Sequence, residues 1–421
     1  QSTAGWECNM AKRRVVVTGM GVVSPLGNDV SSFMSAVRNN QSGIAPITLI
    51  ETSDLDVKFA GEVKNFDATI RIDSKEARKM DRYTQFSVYA ALEALEDAGL
   101  TREDLDPERT GVCLGTGEGG STSIEEAVSR LVERGPSRVP PLTVAKALAN
   151  FGPAQIAMNL RIHGPCQCIV TACAAGTDAI GQSMRLIRGG YADMVFSGGA
   201  EASIVRMSMA SFINIQALSV RNAEPQKASR PFDRDRDGFV MSEGAGILIL
   251  EEYEHARARG AKIYAEVAGF GSTCDAYHLT APEPEGRGVA RAIQFALSDA
   301  GLAPEDIDFV SAHGTSTPLN DPIETKAIKL AFGEHAYKLK VASLKSMIGH
   351  TIGASGAIES IAGILGMNED FVHATINLDN PDPECDLDYV PNVGITMPIR
   401  AFIKNSMGFG GQNAVVVYKK I

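Results

Sequence analysis

The stretch from Cys168 to Gly181, CIVTACAAGTDAIG, runs from a β-branched strand pattern into a helix built almost entirely of small residues. Such a helix is expected to be buried on nearly all sides, since small side chains let neighbouring elements pack closely. Cys173 lies at the join, where a helix N-terminus favours a thiolate and free backbone N–H groups can hold an oxyanion. An unpaired cysteine is, however, more often a small buried hydrophobe. Position alone therefore leaves Cys173 as either an inert core residue or a nucleophile.

Around this stretch, short β-rich runs alternate with helical patterns, one of which predicts a helix over residues 143–160. The alternation is typical of parallel α/β structure. The pattern begins again after residue 260, and SLKSMIGHTIGASGAIESIAG, residues 343–363, again joins a strand to a helix of small residues. The sequence therefore predicts two repeated halves, residues 11–260 and 261–421, whose two buried helices begin near a common site.

Composition narrows the class of protein. Apolar residues make up 44% and charged residues 22% of the 421 residues, which is ordinary for a globular protein and excludes general disorder. A net charge of −11 disfavours nucleic-acid binding, because a polyanion would be repelled. No apolar run of about 18 residues predicts a membrane span, so we expect a cytoplasmic protein that does not bind membranes.

The cysteines and the first residues give two further expectations. Seven cysteines without framework spacing favour reduced thiols over disulfides. The opening QSTAGWECNM, residues 1–10, fits no periodic pattern, and we expect it to be a cloning remnant or disordered.

Two histidines and a lysine occupy strand-to-helix junctions like that of Cys173. His313 follows an apolar strand pattern, and His350 leads into the second small-residue helix. Carboxyl ends of parallel strands deliver active-site groups, so a cysteine with two histidines at such junctions forms a nucleophile-and-base constellation. Lys345 lies among small and apolar neighbours; a partly buried lysine needs a carboxylate partner, for which Glu324 is our candidate.

A glycine-rich segment near the C-terminus, NSMGFGGQN, surrounds Phe409. Glycines there let a backbone N–H approach a ligand closely and could let the phenyl ring swing. A simple glycine-rich turn is the alternative interpretation.

Basic residues repeat at helical spacing in SKEARKMDRY. Lys75, Arg78, Lys79 and Arg82 follow at i, i+3, i+4 and i+7 behind Ser74, a candidate N-cap. The spacing predicts one basic helix face. Such a face is usually only solvated, but on an acidic chain it is where an acidic partner would dock.

Five ordered motifs resemble those of the β-ketoacyl-acyl carrier protein synthases, the condensing enzymes of dissociated fatty-acid synthesis, and most of all the synthase II type. The resemblance runs from about residue 12 to the C-terminus in the same order and spacing. The motifs are VTACAAGTDAIG (170–181), RPFDRDRDGFVMSEGAG (230–246), AHGTSTPLND (312–321), SLKSMIGHTIGASGAIES (343–360) and NSMGFGGQN (405–413).

The resemblance implies a thiolase-like fold, in which two pseudo-repeated α/β halves stack as a five-layered α-β-α-β-α sandwich, normally in a homodimer. Cys173 would be the nucleophile that takes the acyl chain from acyl carrier protein as a thioester. His313 and His350 would act when malonyl-acyl carrier protein binds and loses carbon dioxide. Lys345, paired with Glu324, would support the site electrostatically.

Further roles follow from the same resemblance. Phe409 would act as a gatekeeper, and its backbone N–H would join that of Cys173 in an oxyanion hole. No cofactor is implied, since the substrates are carried on the phosphopantetheine of acyl carrier protein. The implied substrate-binding residues are Thr315 and Thr317, on the phosphopantetheine arm, with Glu118, Gly408 and Gly410. The implied carrier-protein docking residues are Lys75, Arg78 and Lys79.

The chain departs from the family pattern at three positions. Glu118 in GTGEGGS stands where the synthase II type usually has an apolar residue near the acyl pocket at the dimer interface, so acyl-chain length is open. Met407 replaces a common phenylalanine, and Gln412 a residue that is often Thr or His. The family also carries a structural monovalent cation site, for which Glu359 and Asn405 are candidates.

Three other functions stay open at the level of sequence. A ketosynthase of a polyketide or specialised fatty-acid pathway would use the same chemistry. A non-catalytic chain-length partner would keep the fold but lack the nucleophile. A papain-like cysteine hydrolase would need an Asn or Asp orienting one histidine.

Overall fold

The computed structural model describes residues 13–421, so the predicted leader at residues 1–10 lies outside the described residues. The strands are β1 (Val15–Val23), β2 (Ala45–Pro46), β3 (Phe59–Ala60), β4 (Thr110–Gly115), β5 (Cys166–Ile169), β6 (Met194–Glu201), β7 (Gly244–Glu252), β8 (Ala265–Cys274), β9 (Phe309–Ser311), β10 (Lys340–Ala342), β11 (Phe371–Val372), β12 (Ile395–Thr396), β13 (Ala401–Gly408) and β14 (Gln412–Lys419). The α-helices are α1 (Val30–Arg38), α2 (Ser74–Ala77), α3 (Arg82–Asp97), α4 (Ser121–Arg134), α5 (Thr143–Ala147), α6 (Phe151–Leu160), α7 (Ala175–Arg188), α8 (Arg206–Asn214), α9 (Tyr253–Ala258), α10 (Arg287–Ala300), α11 (Asn320–Phe332), α12 (Lys345–Ile348) and α13 (Ser355–Asn368).

Ten strands form one mixed sheet made of two matching blocks. One block has the order β5-β4-β6-β7-β1 and the other the order β10-β9-β13-β14-β8. In each block the first three strands are parallel and the last two pairings are antiparallel. The short antiparallel pairing of Val16 with Glu266 and Val17 with Ala265 joins the two blocks.

Helices cover both blocks in layers. The two 14-residue helices α7 and α13 pack against each other between the blocks, in an apolar core that includes Ile180 and Ile358. Helices α3 and α6 cover the outer face of the first block, and α10 and α11 that of the second. The predicted five-layered α-β-α-β-α sandwich of two repeated halves is confirmed.

The two central helices are preceded by turns of the same kind. Each helix follows a 3₁₀ turn, Ala172–Ala174 before α7 and Ile352–Ala354 before α13. In both turns the first residue, Ala172 or Ile352, has a positive φ, 49° and 44°. A positive φ is costly for a residue with a Cβ and persists where the surroundings enforce it, often at functional sites. The repeat thus extends to the backbone conformation around Cys173, whose counterpart is Gly353.

Two predicted helices are wrong. The helix predicted over residues 143–160 is interrupted between α5 and α6, because Pro153 lacks the N–H that a continuous helix would need. The basic segment is not one helix face: α2 ends at Ala77, and α3 begins only at Arg82. The N-cap of α2 is Asp73 rather than Ser74, since the Asp73 carboxylate accepts from two backbone N–H groups of the first turn.

None of the helices within residues 13–421 is long and apolar enough to cross a membrane.

Candidate active site

One cavity of about 310 Å³ brings together most of the predicted site residues. Cys173, His313 and His350 line it together, although they come from different halves of the chain. The other predicted residues on its wall are Thr315, Thr317, Gly408 and Phe409. Lys345, Glu324 and Gly410 lie outside this wall. The cysteine therefore faces a cavity that also exposes two imidazoles.

The turn that presents Cys173 is held by close backbone packing. Cys173 is the middle residue of the 3₁₀ turn that leads into α7, and only 9% of its surface is exposed. Gly408, at the end of β13, lies so close that a Cβ there would come within 2.7 Å of the Thr171 carbonyl oxygen. A glycine is therefore required for β13 to lie against the nucleophile turn.

The sulfur of Cys173 is held as a thiol. Burial raises the pKa of Cys173 to about 12, and the Glu201 carboxylate adds to the rise. The Lys345 ammonium and the backbone N–H groups of Phe409 and Cys173 oppose it. The expected stabilisation of a thiolate by the helix terminus is thus outweighed by burial, and a base must take the proton when the sulfur attacks. The two N–H groups near the sulfur are suitably placed donors for an oxyanion.

His313 and His350 are the available bases. Their ring centroids are 5.4 Å apart and the rings are nearly perpendicular, at 86°. Burial, and after it the positive charge of Lys345, lowers the pKa of both imidazoles well below the usual range. Both are therefore neutral at pH 7, so each can accept a proton or donate an N–H bond to an anion.

The histidines differ in how their Nδ1 atoms are held. Nδ1 of His350 lies 3.0 Å from the Ser355 hydroxyl oxygen, in the first turn of α13. Nδ1 of His313 is buried and has no hydrogen-bond partner within residues 13–421. Within the described residues neither nitrogen of either ring is hydrogen-bonded to a carboxylate or an amide side chain, which a cysteine protease uses to orient its histidine.

The carboxylate partner of Lys345 is Glu359, not Glu324 as the sequence suggested. Nζ of Lys345 donates to Oε1 of Glu359 at 2.6 Å, and both side chains are fully buried. Glu359 lies in α13, 14 residues after Lys345, and no periodic signal distinguishes it from Glu324. A second lysine, Lys404 of β13, lies 2.5 Å from the other Glu359 oxygen. The two buried ammonium groups thus share one carboxylate.

Glu324 holds the loop of His313 instead. Its Oε1 accepts from the backbone N–H of His313 at 2.7 Å, and its Oε2 from that of Gly314 at 2.8 Å. The Asn405 amide also donates to it, at 3.3 Å. Glu324 is therefore a positioning residue for His313 rather than a counterion of Lys345.

The candidate cation ligands do not fit a metal ion. Both oxygens of Glu359 already face ammonium groups, those of Lys345 and Lys404. The carbonyl oxygen of Asn405 accepts from Lys404 at 2.5 Å, whereas its side-chain Oδ1 is buried without a partner among the described residues. Burial lowers the pKa of Lys404 to about 8, and Glu359 opposes this, so the side chain is cationic at pH 7. A second positive ion has no charge left to balance it.

Phe409 and Phe212 form an aromatic part of the cavity wall. Phe409 is 36% exposed and its ring centroid lies 6.2 Å from that of Phe212. Gly410 and Gly411, which follow it, have φ values of 85° and 76° that favour glycine. Gly410 is absent from the cavity wall but lines a shallow groove beside Phe409. The role of Phe409 as a gatekeeper stays a prediction.

Thr315 and Thr317 share one edge of the cavity. Their hydroxyl oxygens are 3.0 Å apart, so one donates to the other. Arg236 fixes this loop by donating to the carbonyl oxygens of Thr317, at 2.9 Å, and Pro318, at 3.1 Å. The Thr317 hydroxyl also accepts from the backbone N–H of Asn320, at 3.3 Å. Binding of a phosphopantetheine arm along this edge stays a prediction.

Glu118 is not part of this cavity. It is half-buried, and its Oε2 accepts from the Ser208 hydroxyl at 2.6 Å. Its neighbour Gly117 packs against Ile352, which does line the cavity: a Cβ on Gly117 would come within 2.7 Å of Ile352. Contact of Glu118 with an acyl chain stays a prediction.

Sequence reasoning missed Glu201, at the end of β6. This buried carboxylate ties the two halves together behind Cys173, and burial raises its pKa to about 7. Its hydrogen-bond donors are the backbone N–H groups of Gly117 (2.6 Å), Gly353 (3.0 Å) and Glu118 (3.1 Å) and the Thr116 hydroxyl (3.1 Å). An acidic residue at the end of an apolar strand was the available signal.

The predicted docking residues are exposed but are not equivalent. Lys75, Arg78 and Lys79 are all exposed around α2. Lys79 pairs with Glu76 at 2.7 Å, which leaves less of its charge free. Arg82 turns inward to Glu243, at 2.6 Å. Lys75 and Arg78 therefore carry most of the available positive charge.

Comparisons with known proteins agree with this geometry. Residues 12–256 match the family model for the β-ketoacyl synthase N-terminal domain, and residues 264–379 that for its C-terminal domain. The chain is 51% identical over 412 residues to 3-oxoacyl-[acyl-carrier-protein] synthase 2 of Synechocystis sp., covering 98% of this chain and 99% of that protein. It is 49% identical over 408 residues to the synthase 2 of Staphylococcus aureus, covering 97% and 98%.

Solved structures show the same architecture. A type II polyketide synthase acyl-carrier protein in complex with its ketosynthase superposes with a TM-score of 0.91 at 39% identity, covering 98% of this chain and 100% of that chain. A β-ketoacyl synthase from Burkholderia phymatum superposes with a TM-score of 0.90 at 34% identity, covering 97% and 100%. Two family models that together span most of the chain, and relatives that match over nearly its whole length, establish that the chain belongs to the β-ketoacyl synthase family.

Proposed function

We propose that the chain catalyses the decarboxylative condensation of an acyl group with malonyl-acyl carrier protein in fatty-acid elongation. In the first step the Cys173 sulfur attacks the acyl thioester of a carrier protein. The new carbon–sulfur bond forms, the pantetheine thiolate leaves, and the proton taken from Cys173 by an imidazole passes to it. The product of this step is an acyl-Cys173 thioester.

The second step makes the carbon–carbon bond. Malonyl-acyl carrier protein loses carbon dioxide, and the electrons of the broken bond form a thioester enolate. Neutral His313 and His350 can donate N–H bonds to the enolate oxygen, which stabilises the charge that develops there. The enolate carbon attacks the acyl-Cys173 carbonyl, whose oxygen is held by the N–H groups of Cys173 and Phe409. The carbon–sulfur bond breaks, 3-oxoacyl-acyl carrier protein leaves, and the Cys173 thiolate takes up a proton that an imidazole relays from solvent.

The observation that carries this proposal is the meeting of one thiol and two neutral imidazoles in a single cavity. A hydrolase would need an Asn or Asp orienting one histidine, but within residues 13–421 neither ring nitrogen of His313 or His350 is hydrogen-bonded to an Asn or Asp, and the one hydrogen bond of these rings is that of His350 with the Ser355 hydroxyl. A non-catalytic chain-length partner would not need the nucleophile, which is present and faces the cavity. Condensation is the reaction that uses all three groups.

A ketosynthase of a polyketide pathway is the second candidate. Two superposable structures, at 39% identity each, are the polyketide ketosynthase complex above and an ishigamide ketosynthase/chain length factor. The higher identity of 51% to a 3-oxoacyl-[acyl-carrier-protein] synthase 2 favours fatty-acid elongation.

We propose acyl carrier protein as the partner and α2 as part of its docking surface. The exposed charges of Lys75 and Arg78 support this, because the chain as a whole carries a net charge of −11 and offers few positive surfaces. An acidic carrier protein would be steered toward such a patch. The phosphopantetheine arm would then enter past Phe409 and lie along Thr315 and Thr317.

We also propose that the enzyme works as a homodimer through β5. The outer edge of β5 is the open end of the first block, whereas its counterpart β10 is covered: the Val341 N–H donates to the Asp388 carbonyl oxygen at 2.8 Å. Apolar side chains more than half exposed surround the β5 end: Val128 (52%), Val132 (80%), Val144 (71%), Met158 (57%) and Val170 (54%). An open strand edge beside exposed apolar side chains fits pairing with a second copy about a twofold axis.

A cytoplasmic location completes the proposal. The six cysteines within residues 13–421 are all free, which fits a reducing compartment.

The test is a reconstituted condensation assay. Purified enzyme is incubated with acyl-acyl carrier protein and malonyl-acyl carrier protein, and carbon dioxide and 3-oxoacyl-acyl carrier protein are measured. We expect both products in equal amounts, with a Cys173→Ala variant as the inactive control. Release of free fatty acid without a 3-oxoacyl product would contradict the proposal. A profile over acyl chains of increasing length, with polyketide-type intermediates included, separates the two candidate pathways.

A further inference from the structure

Lys404 is a fully buried lysine in β13 that lies beneath the cavity rather than on its wall. Its Nζ lies 2.5 Å from Oε2 of Glu359. It also donates to the backbone carbonyl oxygens of Asn405 at 2.5 Å, Ala312 at 3.0 Å and Ser311 at 3.4 Å. An ammonium has three protons to donate and no acceptor, and these four oxygens are its partners among residues 13–421.

A set of carbonyl and carboxylate oxygens around one positive charge is also what binds a monovalent metal ion, because such oxygens replace its hydration shell. Glu359 and Asn405, the two candidate ligands for a structural cation, both belong to this set. In this chain the set already surrounds the Lys404 ammonium. We propose that Lys404 is a built-in cation that takes the place of a bound K⁺ or Na⁺ in this enzyme.

The charges around Lys404 support a structural and electrostatic role. Lys404 and Lys345 share Glu359, and Glu324 lies close enough to favour the charged form of Lys404. Two buried lysines are thus balanced by two buried carboxylates, which makes an additional metal ion unfavourable. Lys404 acts through Glu359, which fixes Lys345 beside the catalytic histidines. It is a positioning residue and does not touch the substrate.

Two variants distinguish the effect of the Lys404 charge from that of the volume its side chain occupies. Lys404→Ser removes the ammonium and leaves room for an ion among the same oxygens. Lys404→Met removes the charge but fills the room. Each protein is melted, and its condensation rate is measured, in KCl and in N-methyl-D-glucamine chloride at the same concentration, because the organic cation is too large to enter.

We expect the wild-type Tm and rate to be the same in both salts. Lys404→Ser should melt about 5 °C or more below wild type in the organic salt, and KCl should restore at least half of that loss. Its rate should fall at least about tenfold in the organic salt and recover with KCl in parallel. Lys404→Met should show the loss in both salts. Lys340→Ser, on strand β10 of the same block and paired with Asp388, is the matched control and should not respond to KCl.

Two results would overturn the inference: a saturable rise of the wild-type Tm with K⁺, or a Lys404→Ser variant that behaves identically in both salts. If Lys404→Ser does not fold in either salt, the dependence of the wild-type Tm on K⁺ concentration alone decides whether the inference holds. This inference goes beyond the proposed reaction, because the Tm can be measured whether or not the enzyme is active. If the enzyme never catalyses condensation but KCl still raises the Tm of Lys404→Ser, the proposed function is contradicted and this inference is not.

Discussion

Among single residues, the histidine pair is the feature that most constrains the chemistry. Burial alone keeps an imidazole neutral, and Lys345 and Lys404 add positive charge around both rings. A neutral imidazole can take the proton of a buried thiol and can also donate to an enolate, whereas a protonated imidazole could donate but could not accept the thiol proton. The catalytic state therefore depends on groups that never contact the substrate.

The pH dependence of condensation follows from these charges. Because the pKa of both histidines is lowered well below about 6.5, we expect kcat/KM to stay level as the pH falls through 6.5 and to drop only at lower pH. Lys345→Met removes the largest positive charge near the rings, so their pKa should rise. The acid limb of the profile should then move to higher pH, besides any loss of rate.

The control for this experiment is Lys340→Met, a lysine paired with Asp388 outside the cavity wall. It should leave the acid limb in place. An acid limb that stays put or moves to lower pH in Lys345→Met would show that Lys345 does not set the charge state of the histidines.

At the scale of secondary-structure elements, the two central helices meet where their 3₁₀ turns cross. Gly176, in the first turn of α7, lies so close to the opposite turn that a Cβ would come within 2.7 Å of the Gly353 carbonyl oxygen. Neither backbone has room to withdraw, since Glu201 also holds the Gly353 N–H at 3.0 Å. The small residues after Cys173 therefore set the distance between the halves.

Gly176→Ala tests this packing. We expect the free energy of unfolding to fall by about 1–3 kcal/mol, as for other overpacked cores, and the condensation rate to fall because the Cys173 turn moves. The measurement is a urea titration with a parallel rate assay. Gly189→Ala, where the added methyl group meets mainly the ring of exposed Tyr191, is the control. Equal stability and activity of both variants would refute the packing argument.

The short helix α2 makes a separate prediction about the carrier protein. Replacing Lys75, Arg78 and Lys79 together by Glu should raise the KM for acyl-acyl carrier protein about threefold to tenfold at low salt, with little change in kcat. High salt should narrow the difference, because it screens exposed charges. The control replaces Arg291 and Lys338, which are exposed in the other half, by Glu and so reverses their charges. An unchanged KM at low salt would exclude α2 from the docking surface.

For the whole molecule, the two halves are alike in topology but differ at their outer strands. The edge of β10 is covered by the chain around Asp388, whereas that of β5 faces outward. Within residues 13–421, the open outer edge of the large sheet therefore lies in the first half, where we propose that a second copy binds.

We expect the wild-type mass in sedimentation analysis to be that of two chains of 44.7 kDa. Val128→Asp with Val132→Asp places two charges in the exposed apolar surface of α4 and should shift the mass to that of one chain, because buried unpaired charges are costly. Val393→Asp, 67% exposed in the other half, is the control and should stay dimeric. A monomeric wild type, or a dimer unaffected by both α4 charges, would contradict the β5 interface.

Much of this architecture was predictable because it rests on local patterns. The alternation of strands and helices, the two small-residue helices and the junction positions of Cys173, His313 and His350 all leave signals along the chain.

Pairings between side chains across the interior leave no such signal in the sequence. From the sequence alone, Glu324 and Glu359 are equally plausible partners for Lys345, and the packing of α13 decides between them. The buried position of Lys404 was not predicted from the sequence. The break before α6 and the start of α3 depend on single residues, Pro153 and Asp81, the N-cap of α3, whose effects compete with helix propensity.

The proposed reaction requires Cys173 to be the residue that carries the acyl chain. Intact-mass spectrometry of the enzyme after incubation with acyl-acyl carrier protein alone, without malonyl-acyl carrier protein, tests this directly. We predict one added acyl mass per chain, located on Cys173 by peptide mapping, lost on addition of malonyl-acyl carrier protein and absent from Cys173→Ala. An enzyme that condenses without ever gaining this mass, or that carries it on another residue, would contradict the account.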